Sequence, residues 1–270
     1  MPDRVESALA RTVEERTCRF WSVTRPGDRS GLVSRLMQGA TEGIVDFVTG
    51  RAITRSVDIS DGGTGPRLPG GERRATPPIY MFFDGTSVSG CLLGEWRNPR
   101  PSGAAGSYRG PAELRFLDLM RPESIVEATA EGEDEVRGQS TTWYRLKLDA
   151  DQIQWPNPDR AAHRPLGSSM IGRLLSKALP DPTPRGILLA EVWVDGTGRL
   201  VRYCHNDVAE DHPKRSQAPS TTTELWDFGI PPPLHDRTTQ PVIDPRTLQF
   251  PESEAELIRS TKPPGNAPNL

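Results

Sequence analysis

Apolar and polar residues alternate along much of this chain, which is the pattern of β-strands with one buried side. In residues 190–205 the order AEVWVDGTGRLVRYCH places Val192 and Val194 on one face of a strand and Trp193 on the opposite face. We expect Val192 to be buried and Trp193 to lie on the less buried side. The sequence DGTG at residues 195–198 is typical of a tight turn, so the segment predicts a β-hairpin.

Three further hairpins and two single strands follow from the same alternation and from glycine-containing turns. The hairpins have arms at 44–48 and 52–59, on both sides of Asp84-Gly85, and at 125–130 and 141–148, and the single strands lie at 17–24 and 220–229. Successive hairpins form a meander, because parallel strands would need crossover helices between them. The sheet is therefore predicted to be antiparallel, with about nine strands.

Three segments carry apolar residues at helical spacing. The first begins near the N-terminus, where Asp3 can cap a helix that contains Val5 and Leu9. The second lies at 111–120 and the third at about 167–179. Because each helix has a single apolar stripe, we expect the helices to pack on the concave side of a strongly curved sheet. The predicted fold class is α+β, an antiparallel half-barrel wrapped around about three helices.

The composition indicates long loops, because only 34% of the 270 residues are hydrophobic whereas 27 are proline and 25 are glycine. Residues 61–78 are rich in both and predict a flexible loop. They lack the lysine and the following helix of a phosphate-binding loop. Residues 230–270 contain PPP and KPPG, which is typical of an extended tail. We expect one domain at 1–229 and a proline-rich tail at 230–270.

Charge and hydropathy exclude several classes of protein. The net charge of −3, from 33 basic and 36 acidic residues, gives no general attraction to nucleic acid. No run of 18 apolar residues is present, so we expect no transmembrane segment. The first twenty residues lack the apolar stretch of a signal peptide. The chain as written is expected in the cytoplasm, and in the cell envelope or outside the cell if the true start lies upstream.

Candidate catalytic and metal-binding residues do not form a known pattern. Ser87 follows a hairpin turn, whereas a nucleophile elbow needs G-x-S-x-G between a strand and a helix. Residues 204–212 include one Cys, two His and two Asp, but their spacing fits no zinc site. The three cysteines lie far apart with no CxxC. We expect no enzymatic activity, no cofactor and no metal.

Four passages, in this order and spacing, resemble a known family. They are GIVDFVTGRA, VRGQSTTWYRLKLD, AEVWVDGTGRLVRY and TTTELWDFGIP, and the resemblance is to the actinobacterial LppX and LprG lipoproteins. It spans roughly residues 7–233 and implies a LolA-like fold, a curved antiparallel half-barrel around helices. It also implies a hydrophobic cavity for a lipid or acyl chain. The chain as written departs from the family in lacking the signal peptide and the lipid-anchor cysteine.

Two functions remain open on this reading. The first is a non-enzymatic binding protein whose hydrophobic ligand lies between the sheet and the helices, and the second is a protein-interaction or sensor module with a filled core and a contact segment in the C-terminal tail. For the first, the predicted cavity-lining residues come from the second and third helices and from two strands. They are Leu114, Leu117, Met120, Trp143, Met170, Leu174, Val192 and Val194.

Overall fold

The computed structural model describes residues 2–25, 39–58, 79–84, 87–92, 95–96, 100–101, 111, 114, 120–152, 185–211 and 220–231. The predicted first helix is present as α1, Pro2–Glu14. The strands are β1 Thr17–Arg25, β2 Gly39–Asp46, β3 Arg51–Asp58, β4 Ile79–Asp84, β5 Ser87–Leu92, β6 Glu95–Trp96, β7 Arg100–Pro101, β8 Ile125–Val136, β9 Gln139–Asp149, β10 Ile187–Asp195, β11 Leu200–Ala209 and β12 Ser220–Trp226. The loop predicted at 61–78, most of the second helix and all of the third lie outside the described residues, as does the tail after residue 231.

All strands belong to one antiparallel sheet with the order β6-β5-β4-β3-β2-β1-β12-β11-β10-β9-β8, and β7 pairs with β5. The sheet is curved, and its two ends, β6 and β8, do not pair with each other. The predicted fold class is therefore confirmed. Within the described residues the sheet contains twelve strands, and β6 and β7 add to the predicted number of about nine because they are two-residue strands, too short to give an alternating pattern.

The predicted hairpins are present, and two of their described turns are built as the residues indicate. In the β10–β11 turn the Asp195 carboxylate accepts hydrogen bonds from the N–H groups of Thr197 and Arg199, each at 2.9 Å. The β8–β9 turn consists of Arg137 and Gly138, both with positive φ, as a two-residue hairpin turn requires. Strand β8 runs six residues further than predicted, because its mostly exposed second half carries no apolar alternation.

Strand β1 joins the two halves of the sheet. One edge of β1 pairs with β2 and the other with β12, so that Phe20 lies opposite Gly43 on one side and Leu225 on the other. Gly43 leaves room for this arrangement, since a Cβ atom there would come within 2.8 Å of the Phe20 ring and 2.3 Å of the Ile53 carbonyl oxygen. A glycine is needed at this position for close approach of its neighbours.

Helix α1 packs against one face of the sheet, which we call the α1 face. Val5 of α1 lies in the same buried cluster as the strand residues of this face. The Thr12 hydroxyl accepts a hydrogen bond from the Leu200 N–H at 2.8 Å and donates to the Ala8 carbonyl at 2.7 Å. The strand residues of the cluster include Cys18, Phe20, Val45, Ala52, Phe83, Tyr144, Leu146, Leu148, Leu188, Ala190, Val192, Leu200, Tyr203 and Leu225.

The opposite face carries four tryptophans, Trp21, Trp143, Trp193 and Trp226, and we call it the tryptophan face. The prediction that Trp193 lies on the opposite face from Val192 is confirmed, but the expectation of a less buried side is wrong. Trp193 is only 2% exposed, stacks on Trp143 with ring centroids 6.2 Å apart, and donates to Asp134 at 2.8 Å. Alternation assigns residues to faces, whereas burial depends on what packs over each face.

Val192→Asp and Trp193→Ala should both destabilise the protein strongly. The first places a charge on the fully buried side of β10, with an expected loss of about 4 kcal/mol or more in the free energy of unfolding. The second leaves a cavity and removes an indole hydrogen bond, with a loss of about 3–5 kcal/mol. Urea denaturation monitored by circular dichroism measures both. Val126→Asp is the control, since Val126 is 58% exposed and should change stability by less than about 0.5 kcal/mol.

Candidate functional site

The structure brings together four of the eight predicted cavity-lining residues on the α1 face. Leu114, Met120 and Val192 belong to one buried cluster, and Val194 packs against it. Trp143 lies on the tryptophan face instead, because it pairs directly with Trp193 across β9 and β10. The other predicted lining residues, Leu117, Met170 and Leu174, lie outside the described residues.

Strands β9, β10 and β11 position the apolar part of the site. Val192 lies between Tyr144 of β9 and Tyr203 of β11 in a direct cross-strand row, and Ala190 lies opposite Leu146 in the next row. Residues directly opposite each other in antiparallel strands point to the same face. The rows therefore form an apolar wall that continues into the Leu114 and Met120 side chains.

Next to this wall, the α1 face carries a group of hydroxyl side chains from four neighbouring strands, β3, β2, β1 and β12. We call it the hydroxyl band. One cross-strand row of the band contains Thr223, Ser22, Thr41 and Ser56. The next row contains Thr24 and Thr221. The band consists of Ser22, Thr24, Thr41, Thr54, Ser56, Thr221 and Thr223.

Six of the seven hydroxyls in the band bond to one another in pairs. The Thr223 hydroxyl donates to Ser22 at 3.0 Å, Thr41 and Ser56 lie 3.1 Å apart, and Thr24 and Thr221 lie 3.2 Å apart. A hydroxyl has one donor and two acceptor positions, so a hydroxyl that already makes one hydrogen bond can make another. The band can therefore hydrogen-bond a polar group placed against the α1 face.

Thr54 differs from the other members because its buried hydroxyl oxygen has no hydrogen-bond partner among the described residues. Thr54 is fully buried and lies on β3, between Gly43 of β2 and Met81 of β4. A buried hydroxyl without a partner costs about 1–3 kcal/mol. Thr54 is thus a position on the α1 face where a bound polar group would gain a hydrogen bond.

Tyr203 and His205 stand at the border between the hydroxyl band and the apolar wall. Their rings stack with centroids 4.8 Å apart. The hydroxyl pairs of the band contain no base that could remove a proton from serine or threonine, so the pairing alone activates no nucleophile. Among the described residues, this surface offers hydroxyl groups for hydrogen bonding beside an apolar wall, with the His205 imidazole opposite Thr221 at its border.

The hydroxyl band was not predicted from the sequence, because its residues are separated by up to 201 positions. A signal was present in β1, where Ser22 and Thr24 follow Phe20 at intervals of two and so share its buried face. The sequence does not give the register that sets Thr41 and Thr223 beside Ser22.

The tryptophan face contains two buried carboxyl groups. Glu42 pairs with Arg55 at 2.5 Å, and burial raises the pKa of Glu42 to about 7 although Arg55 opposes the shift. Burial also raises the pKa of Glu191 to about 7, against the opposing effect of Arg145 and with a further rise from Glu131. One carboxyl oxygen of Glu191 has no hydrogen-bond partner among the described residues. Both groups change protonation near neutral pH.

Of the residues considered above as metal ligands, Cys204, His205 and Asp211 have described side chains, and these do not form a cluster. Cys204 and His205 are successive residues of β11, so they point to opposite faces of the sheet. In the ranges given above, no three His, Cys, Asp or Glu side chains form a group suited to a metal ion. None of the helices in those ranges is long and apolar enough to cross a membrane.

Among known proteins, the similarities found are to solved structures. No protein-family model matches the chain. No curated protein matches it. The lipoprotein LppX from Mycobacterium tuberculosis is similar over 85% of this chain and 95% of its own, with 14% identity and a TM-score of 0.45. LprF from Mycobacterium bovis is similar over 85% and 93%, with 11% identity and a TM-score of 0.47. LppX is one of the lipoproteins that the four sequence passages resemble.

Thr54→Val should stabilise the protein, because it removes a buried hydroxyl that has no partner and keeps the side-chain shape. The expected gain in the free energy of unfolding is about 1 kcal/mol. Thr41→Val is the matched control on the neighbouring strand, and it should cost about 1 kcal/mol because it leaves Ser56 without its partner. Thermal and urea denaturation of ligand-free protein measure both. A destabilised Thr54→Val variant would contradict the assignment of an unsatisfied hydroxyl.

Glu191→Gln should alter how stability depends on pH. The folded state raises the pKa of Glu191 from 4.5 to about 7, so its protonation stabilises the fold fully below pH 4.5, and this contribution is lost as pH rises to about 7. The variant should therefore gain stability relative to the original protein between pH 5 and 8, on the order of 3 kcal/mol. Urea denaturation across this range measures the difference. Glu133→Gln, a change at an exposed carboxylate of β8, is the control and should leave the pH dependence unchanged.

Proposed function

We propose that this chain is a non-enzymatic binding protein that holds a hydrophobic ligand, a lipid or an acyl chain, on the α1 face between the sheet and its helices. The observation that supports this most directly is the hydroxyl band beside the apolar wall on one buried face. A lipid has the same division, with apolar chains attached to a polar group. The predicted cavity-lining residues Leu114, Met120, Val192 and Val194 would contact the apolar part.

The apolar wall is sufficient to account for tight binding. Burial of a dozen methylene groups contributes on the order of 10 kcal/mol, at about 0.8 kcal/mol each, before the ordering of the ligand is subtracted. Such a site needs no charged side chain for affinity. This agrees with the lack of any catalytic or metal pattern in the sequence.

The hydroxyl band would decide how the ligand is oriented. Its described members are neutral, so they favour a neutral group that donates or accepts hydrogen bonds, such as an ester or a hydroxyl. A ligand acceptor that reached Thr54 would satisfy a hydroxyl that has no partner among the described residues. We expect the polar end of the ligand at β3, β2, β1 and β12 and its chains beside β9, β10 and β11.

A protein-interaction module is the second candidate, and the tryptophan face favours it. Arg137 lies 3.6 Å from the ring centre of Trp226, and Arg202 lies 5.3 Å from that of Trp193. Tryptophan and arginine are enriched in protein interfaces. On this hypothesis the α1 face is a filled core, and no lipid binds.

Native mass spectrometry of the purified protein distinguishes the two functions. A binding protein should carry a stoichiometric adduct of lipid mass, or acquire one when the protein is stripped of lipid and incubated with palmitic acid or a diacylglycerol. Solvent extraction then identifies the ligand class. A polypeptide mass that stays unchanged after both incubations would contradict the proposal and favour the interaction module.

Ala190→Phe provides a control within the chain. Ala190 is fully buried on the α1 face beside Leu146. If a ligand cavity adjoins it, the larger ring should occupy part of that cavity, and the adduct should decrease while the melting temperature changes little. In a filled core the same ring would overpack the site and cost about 1–3 kcal/mol.

A further inference from the structure

Several large apolar residues of the tryptophan face are fully buried, although helix α1 packs on the other side of the sheet. Trp21, Trp193, Ile53 and Phe82 are each at least 97% buried. Within the described ranges, the residues that contact this face from outside its strands include Arg137 of the β8–β9 turn and apolar residues of the segment that follows β12. A large apolar surface of this kind needs a cover.

The segment after β12 leads the chain directly onto the tryptophan face. The Gly229 N–H donates to the Thr17 carbonyl at 2.8 Å, and the Thr17 hydroxyl donates to the Ile230 carbonyl. Phe228 packs against both the α1-face cluster and the cluster around Trp193, and Ile230 then packs against the cluster of Ile44, Ile53 and Phe82. The last described residues therefore begin the cover of this face.

The 39 residues that follow, 232–270, include eight prolines. Proline-rich segments adopt the polyproline II conformation with little loss of entropy, and they bind to surfaces lined by aromatic rings. The tryptophan face has four such rings. Apolar residues such as Val242, Ile243 and Phe250 lie between the prolines and could add contacts.

The length of this segment is sufficient for the whole face. From Phe82 on β4 to Trp193 on β10 the sheet has six strand spacings, which is about 29 Å at about 4.8 Å each. A polyproline II segment of about ten residues spans about 31 Å. The segment 232–270 can therefore cross the tryptophan face and still have residues to spare.

We propose that the proline-rich tail, residues 232–270, binds in cis across the tryptophan face. This contact is independent of the ligand proposed for the α1 face, because the two faces lie on opposite sides of the sheet. On this proposal the tail packs on the folded domain. Another partner could then contact the tryptophans only when the tail is displaced.

Disulfide trapping in the full chain tests the proposal. Cys204 lies on the tryptophan face, packed against the Trp193 cluster, and is partly exposed, whereas Cys18 is fully buried on the α1 face. In a Cys91→Ser background, single cysteines are introduced into the tail as Thr239→Cys, Gln249→Cys or Ser260→Cys, and dilute protein is mildly oxidised. Peptide mass spectrometry then identifies each link separately. At least one tail position should form an intramolecular link to Cys204 in more than half of the molecules, and none should link to Cys18.

The matched control keeps the same cysteine and tail length but replaces the prolines and apolar residues of 232–270 by glycine and serine. Its yield of the Cys204 link should fall at least fivefold if the tail binds the face. Equal yields in the two proteins would mean simple tethering and would overturn the proposal. Links between two chains in place of intramolecular ones would also overturn it, since they would indicate a second copy as the cover.

Removal of the tail gives an independent readout. In a chain that ends at Pro231, Cys204 should react with iodoacetamide at least tenfold faster than in the full chain, while continued protection of Cys18 shows that the fold is kept. Addition of a synthetic peptide of residues 232–270 should restore the slower rate. An unchanged Cys204 rate in a chain whose Cys18 remains protected would contradict the proposal.

Discussion

The pairing of β1 with β12 is the contact on which the rest of the structure depends. Strands β2 to β6 form one meander and β8 to β12 another, and β1 joins them by pairing with β2 on one edge and β12 on the other. The residues brought together in this way lie about two hundred positions apart, and a loop of that length is costly to close. Folding through such a distant contact is expected to be slow.

This pairing also creates the candidate site. Ser22 of β1 meets Thr223 of β12 only in the observed register, and a shift of β1 by one residue would turn Ser22 and Thr24 to the other face. The same shift would bring Trp21 onto the α1 face. The register therefore sets the division between an apolar wall, a neutral polar band and an aromatic face.

The two faces of the sheet are stabilised by different contacts, in a chain of which only 34% of the residues are hydrophobic. The α1 face is covered by α1 and by residues such as Leu114 and Met120. The tryptophan face combines large aromatic rings with paired charges, among them Arg202 with Glu224 at 2.7 Å. Buried ion pairs contribute little net stability, because the loss of hydration offsets their attraction. Aromatic contacts and the proposed cover by the tail would provide the stability that these ion pairs do not. The proposed ligand would occupy the α1 face.

The sequence by itself determined the local structure. The DGTG turn before β11, the Arg137-Gly138 turn and the alternation that separates Val192 from Trp193 depend on neighbouring residues, so they could be predicted without the fold. Only the tertiary structure decided that Trp193 is buried, that Trp143 lies opposite to the other predicted lining residues, and that seven distant hydroxyls share one surface. The reason is physical: periodicity fixes the face to which a side chain points, whereas strand register and the packing of distant segments determine which residues meet there and whether water is excluded.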